Sequence, residues 1–108
     1  MEDVVVARAS EIFAALSNPT RLRIVEWLCV AERSVGEVAT EMGIGASGAS
    51  QHLSVLARAG ILVYTTHGTS KLYRVRGPRV PAVLKLIDEF CHSHVLYGVP
   101  PGDPEDPA

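Results

Sequence analysis

Two groups of side chains have the types and spacing to do chemistry. The first lies near the end of the chain: Asp88, Cys91, His92 and His94. On a helix Asp88 and His92 are i, i+4 neighbours and could chelate one ion together, while Cys91 and His94 stand three apart on one stripe. A mixed oxygen, nitrogen and sulfur set suits nickel, zinc or cobalt better than a hard ion, with nickel or zinc bound most tightly. The same residues admit a structural reading: Cys91 as a small core hydrophobe, His94 satisfied in an interface, Asp88–His92 as a surface pair.

The second group lies mid-chain. Ser47, Ser50 and Gln51 fall on the first turns of one predicted helix, followed by His52, Ser54 and Arg58. A helix that enters a DNA major groove about 12 Å wide needs short side chains, or ones that form directed hydrogen bonds to base edges. Serine and glutamine meet both demands. Arg58 at the helix end, with Lys71, Arg74 and Arg76 just beyond, stand where phosphates flank such a groove. His52 suits a structural or phosphate-contacting role, and His67 falls at a turn that faces solvent. An ordinary solvated helix face carries Glu and Lys, whereas this one has three serines, a glutamine and no acid. Ser47 and Ser50 have no His–Asp partner set, and the chain has no Gly-rich phosphate loop, so the pattern argues against an enzyme.

Charge distribution supports the second group. The net charge is −2, yet residues 42–87 hold six cationic side chains (Arg58, Lys71, Arg74, Arg76, Arg79, Lys85) and no acidic one. All 12 acids lie elsewhere, three of them (Asp103, Glu105, Asp106) at the C-terminal end. Such asymmetry points to a nucleic-acid face on an otherwise acidic protein, or to a basic solvated surface.

The elements that would position these groups follow from pattern. At 108 residues the chain has room for one core. Residues 4–16 read as a helix through Ile12, Phe13 and Leu16. Asn18 and Pro19 are an N-cap and first-turn pair for a second helix to about Val30, apolar around most of its circumference, with Trp27 partly buried. Ser34 and Glu37 form a capping box for a third helix ending at Gly43. A fourth helix, 46–59, buries Ala49, Leu53, Leu56 and Ala57 and closes at Gly60. Residues 61–66 and 71–75 then read as a β-hairpin with Gly68 in the turn. A last helix starts near 78–80 and runs to about Leu96, with Val80, Val83, Leu84, Ile87, Cys91 and His94 on one stripe. Residues 1–97 thus form one domain, and 98–108, rich in proline and acid, a disordered tail. The expected class is mainly α with a β-hairpin wing (α+β): two helices joined by a few residues and followed at once by a hairpin make a winged helix-turn-helix. The first and last helices carry more apolar surface than so small a core can use, which predicts a homodimer. No apolar run nears the ~18–20 residues of a membrane span. The acidic N-terminus lacks the character of a secretory signal. With only two cysteines and no disulfide framework, a cytoplasmic location is expected.

Four blocks, read together, resemble the ArsR/SmtB family. They are Asn18-Pro19-Thr20-Arg21-Leu22-Arg23-Ile24, Ser34-Val35-Gly36-Glu37, the run from Ser47 to Leu56 (SGASQHLSVL), and Ala59-Gly60-Ile61-Leu62. The resemblance covers roughly residues 13–87. It implies a dimeric bacterial regulator, most often a repressor released by metal ions or thiol chemistry, that binds an inverted-repeat DNA operator. By it 46–59 is the recognition helix, 61–75 the wing, and the terminal helices the dimer interface.

Its sensor positions match less well. The helix before the recognition helix lacks the family's C-x-C pair. The last helix does not reproduce the family's D-x-H followed by H-x-x-E, leaving Asp88, Cys91, His92 and His94 as the metal candidates. Some relatives sense oxidants or persulfides through one cysteine in the second helix and one in the last, positions held here by Cys29 and Cys91. Cys29 lies in an apolar helix, where a raised pKa would make it inert. Two alternatives stay open: a thiol-responsive or partner-controlled regulator, its signal coming from a second regulatory protein, and a winged helix used only for protein–protein contacts.

Overall fold

A computed structural model describes residues 1–93. They comprise α1 (Asp3–Leu16), α2 (Pro19–Leu28), β1 (Arg33–Ser34), α3 (Val35–Met42), α4 (Ala46–Arg58), β2 (Leu62–His67), β3 (Ser70–Val75) and α5 (Arg79–Cys91). The chain divides into two compact units, Met1–Gly77 and the segment from Pro78 onward. His94, the last turn expected to reach Leu96 and the 98–108 tail lie outside the described residues.

Local chemistry sets the boundaries of the first unit. The Asn18 side chain accepts the Arg21 N–H at 3.0 Å and Pro19 opens α2 where its missing N–H has no role. Helix α2 buries Ile24, Val25 and Leu28, while Arg23 and Glu26 pair at 2.8 Å on the other side. It is therefore one-sided, not apolar around most of its circumference, and it stops at Leu28, with Val30 exposed. Trp27 is half-buried beneath the Arg33 guanidinium, which sits 4.3 Å from its ring centroid.

Ser34 and Glu37 form the expected box. Ser34 Oγ accepts the Glu37 N–H at 3.1 Å, and the Glu37 carboxylate accepts the Ser34 N–H at 2.9 Å. Gly43 closes α3 at φ +65°, and three residues later α4 begins. The two central helices pack through Val38, Ala49, Leu53 and Leu56, all fully buried. Ile24, Val25, Leu28 and Leu62 complete this core, and Ala15 alone is buried in α1. Ser34→Ala removes the cap and is expected to cost about 1 kcal/mol, read as a lower urea midpoint at an unchanged slope. Hydrogen bonds from Ser34 hold the Glu37 carboxyl below its ordinary pKa. Its contribution is thus present at neutral pH and fades as the pH falls through the carboxylate range to that lowered value.

The sheet departs from a plain hairpin. Strands β2 and β3 pair antiparallel from Leu62↔Val75 to His67↔Ser70, with Gly68 at φ +63° in the two-residue turn. Strand β1 adds a third member through Arg33↔Tyr73 and Ser34↔Leu72, giving the order β1-β3-β2. Two residues have no periodicity, so sequence pattern cannot announce such a strand.

The second unit presents α5. None of its residues is buried. Val80, Leu84 and Ile87 are half-buried, while Val83, Leu86 and Phe90 are exposed. Cys91 is exposed as well, which removes the reading of it as a core hydrophobe within the chain.

Candidate nucleic-acid interface

Helix α4 is held by its leucines. With Ala49, Leu53 and Leu56 seated in the core, the 3.6-residue period turns Ser47, Ser50, Gln51, Ser54 and Arg58 outward, and all five are exposed. Among the described residues no hydrogen bond engages the side chains of Ser47, Ser50, Gln51 or Ser54, so their donors and acceptors are available to a partner. His52 is half-buried at the border of this face.

Arg58 does not share the position of the serines. Eleven residues beyond Ser47, it stands about 16 Å further along the helix axis. There it lines a shallow groove with Glu11, Ala14 and Ala15 of α1 and Arg21 of α2.

Strand alternation separates the wing cations. Side chains two apart share a face, so Lys71 falls with Tyr73, and Arg74 with Leu72 on the reverse. The Lys71 ammonium lies 4.5 Å from the Tyr64 ring centroid, and Tyr64 packs on Tyr73 with centroids 5.2 Å apart. Lys71 and Ser50 line one polar groove of about 510 Å³ with Ser34, Val35, Gly36, Thr69, Ser70 and Tyr73. This groove joins α4, the start of α3 and the wing tip. Sequence reading placed Ser34 only as a cap and 67–70 only as a turn. The signal that could have found their second use was a run of small hydroxyl residues with Lys71 immediately after. Arg74 and Arg76 are both exposed, and the Arg76 N–H donates to the Ile61 carbonyl at 3.0 Å, at the base of the wing. His67 at the tip lies 3.3 Å from Thr65 Oγ1 and is exposed.

The metal candidates come together only in part. His92 Nδ1 lies 3.4 Å from Asp88 Oδ1 and donates to the Asp88 backbone carbonyl at 2.9 Å. To ligate through Nδ1, the ring would have to release that carbonyl. Among the described residues no group of three or more His, Cys, Asp or Glu is gathered as an ion cage. Cys29 is half-buried at the end of α2, and burial, then the nearby Glu26 carboxylate, raise its pKa. It is therefore a poor thiolate at neutral pH. No described helix is long and apolar enough to cross a membrane.

Comparison with known proteins fits this geometry. Residues 18–64 match the family described as bacterial regulatory protein, arsR family. The uncharacterized HTH-type transcriptional regulator Rv0081 of Mycobacterium tuberculosis is 37% identical over 78 residues, 71% of this chain and 68% of that one. Its crystal structure superposes with a TM-score of 0.77 at 32% identity, covering 90% of this chain and 96% of the other. A homodimeric winged helix-turn-helix DNA-binding domain from Mycobacterium bovis, a possible ArsR-family regulator, gives a TM-score of 0.79 at 28% identity, covering 88% and 91%. A probable mercury resistance operon repressor of Streptomyces lividans is 32% identical over 77 residues, 71% of this chain and 62% of that one. The outward face of α4 and the wing beside it are thus those of a known kind of protein: the chain belongs to the ArsR family of bacterial regulatory proteins and is a DNA-binding winged helix-turn-helix transcriptional regulator, not an enzyme.

Proposed function

We propose that the chain works in the cytoplasm as a homodimeric repressor of an inverted-repeat operator, released by a transition metal ion of the nickel, zinc or cobalt class. One observation carries the DNA part: an acid-free α4 face whose serines and glutamine are exposed and unengaged. Ser47, Ser50 and Gln51 read base edges, with Ser54 and His52 at the margin. Lys71, Arg74, Arg76 and Arg58 neutralise phosphates on either side. Exposed Val4, Phe13, Val83, Leu86 and Phe90 on α1 and α5 are covered by a second copy, which places one recognition helix in each half-site. The M. bovis relative described as homodimeric supports this assembly, and the relative described as a probable mercury resistance operon repressor supports a repressor role linked to metals, though not the choice among nickel, zinc and cobalt.

For the effector, Asp88 and His92 supply oxygen and nitrogen donors of the right type, with Cys91 and His94 completing the set. An ion bound there would alter the separation of the two recognition helices and weaken operator binding by a coupling of about 1–3 kcal/mol, roughly 5- to 150-fold. Fluorescence anisotropy on the DNA upstream of the chain's own gene tests this, at two salt concentrations, with chelator and then with each metal singly. The expected result is selective, salt-sensitive binding that one metal weakens several-fold, an effect that Asp88→Ala with His92→Ala removes. Selective binding indifferent to every metal would overturn the metal assignment and move the effector to Cys29 and Cys91 or to a second regulatory protein. Absence of any salt-dependent DNA affinity would favour a winged helix used for protein contacts.

A further inference from the structure

Helix α1 is held to the rest of its unit in an unusual way. Only Ala15 of its 14 residues is buried, so apolar packing fixes it weakly. Ala9, Ile12 and Leu16 are half-buried, and two arginines add polar ties. At its C-terminal end Arg21 of α2 donates from Nε to the Ala15 carbonyl at 2.6 Å and from Nη2 to the Ala14 carbonyl at 3.4 Å. Further up the helix, Arg8 sends one guanidinium nitrogen to Glu11 Oε2 at 3.0 Å and the other to the Ala59 carbonyl at 2.5 Å.

That second bond falls at a joint. Ala59 is the C-cap of α4, buried, and the strand of the wing starts three residues later. The carbonyls before it are satisfied locally: Val55 by the Ala59 N–H, Leu56 by the Ile61 N–H, Ala57 by the Gly60 N–H. The Ala59 carbonyl instead receives Arg8, and a cation at a helix C-terminus is favourably placed. Arg58, the local basic residue of the last turn, makes no such bond among the described residues. Gly60 turns at φ +79°, and a Cβ there would collide with Arg8 Nη2, so the guanidinium lies directly on the backbone where helix passes into wing. On the other side Arg76 closes the same corner through its N–H to Ile61.

We propose that Arg8 is a positioning residue for DNA recognition: it couples α1 to the joint of recognition helix and wing, so that the placement of α1 sets the pose of both on DNA. This rests on the DNA-binding reading above. Glu11 holds the other arm of the fork and orients the guanidinium within the free chain, an exposed pair that biases this geometry rather than locking it. Because α1 contributes so little to the core, a copy docked on its exposed face moves α4 and the wing through this bond.

The test uses the full chain and an operator selected with the wild type, comparing Arg8→Ala and Arg8→Lys. Arg8→Ala is expected to stay dimeric and to lose about 10-fold in operator affinity, within the range for a residue that couples sites without touching the ligand. The salt dependence should not change, because no phosphate contact is lost. Amide exchange at Gly60, Ile61 and Arg76 should quicken while Val38 and Ala39 keep their protection. Arg8→Lys keeps the charge and one donor, so it should recover part of the affinity, and it serves as the test if the alanine variant does not fold. Affinity within twofold of wild type in both variants would overturn the proposal, as would a salt slope reduced by about one, the mark of a direct phosphate contact. Should the wild type select no DNA, the DNA reading itself fails. Amide exchange still decides the joint separately, and unchanged protection at Gly60 and Ile61 would overturn it.

Discussion

Replacing Ser50 and Gln51 together by alanine is expected to weaken selective operator binding by about 2–4 kcal/mol, on the order of 30- to 1,000-fold, with non-selective binding retained. Both side chains are exposed on α4 and neither is engaged within the described residues, so alanine removes hydrogen-bonding capacity without disturbing the core. Alanine also raises helix propensity relative to serine, so α4 should be no less stable. The loss should therefore appear in the ratio of selective to non-selective affinity, while the salt slope holds because no cation has changed. Anisotropy titrations against operator and scrambled duplex measure both quantities. An unchanged ratio would mean that α4 does not read bases.

The second large effect concerns assembly. Phe13→Asp places a charge on the exposed apolar surface of α1, where Phe13 is 64% exposed. The fold should survive, since Phe13 is not part of the core. The homodimer should not, because an unpaired carboxylate would be buried at the interface of the two copies. With the dimer gone, each half-site is bound singly and the avidity of two linked contacts is lost, on the order of 10²–10⁴ in operator affinity. Sedimentation velocity reads the oligomeric state, and a titration on a full and a half operator reads the affinity. A variant that remains dimeric and binds as the wild type would place the interface elsewhere.

Local signals made much of the fold legible. Asn18 with Pro19, the Ser34–Glu37 box and the glycines Gly43, Gly60 and Gly68 act within a few residues of themselves, and each stands where its chemistry placed it. The buried stripe Ala49, Leu53, Leu56 follows from one period, and its complement gives the exposed α4 face.

What sequence could not show depends on pairing across the chain. Strand β1 exists because Arg33 and Ser34 meet Tyr73 and Leu72. Lys71, Arg74 and Arg76 look like one basic cluster along the chain. The two-residue period of a strand turns Lys71 toward the groove it shares with Ser50, and Arg74 to the reverse side. Cys91 fits a buried stripe on a helical wheel, yet exposure depends on what covers the wheel, and α5 has no buried residue. Arg8 gave no signal at all. An arginine with a glutamate three residues on reads as a solvated pair, and nothing local points to a carbonyl at the far end of another helix.

Selection from a random duplex pool by the wild-type chain, followed by affinity measurement across salt concentrations, bears most directly on the reading of α4 as a recognition helix in a two-fold dimer. The expected outcome is an enriched inverted repeat whose half-sites lie about one helical turn apart, roughly 10–10.5 base pairs or a multiple of it. Its affinity should fall steeply as salt rises. A pool that stays random, or retention that ignores salt, would contradict that reading.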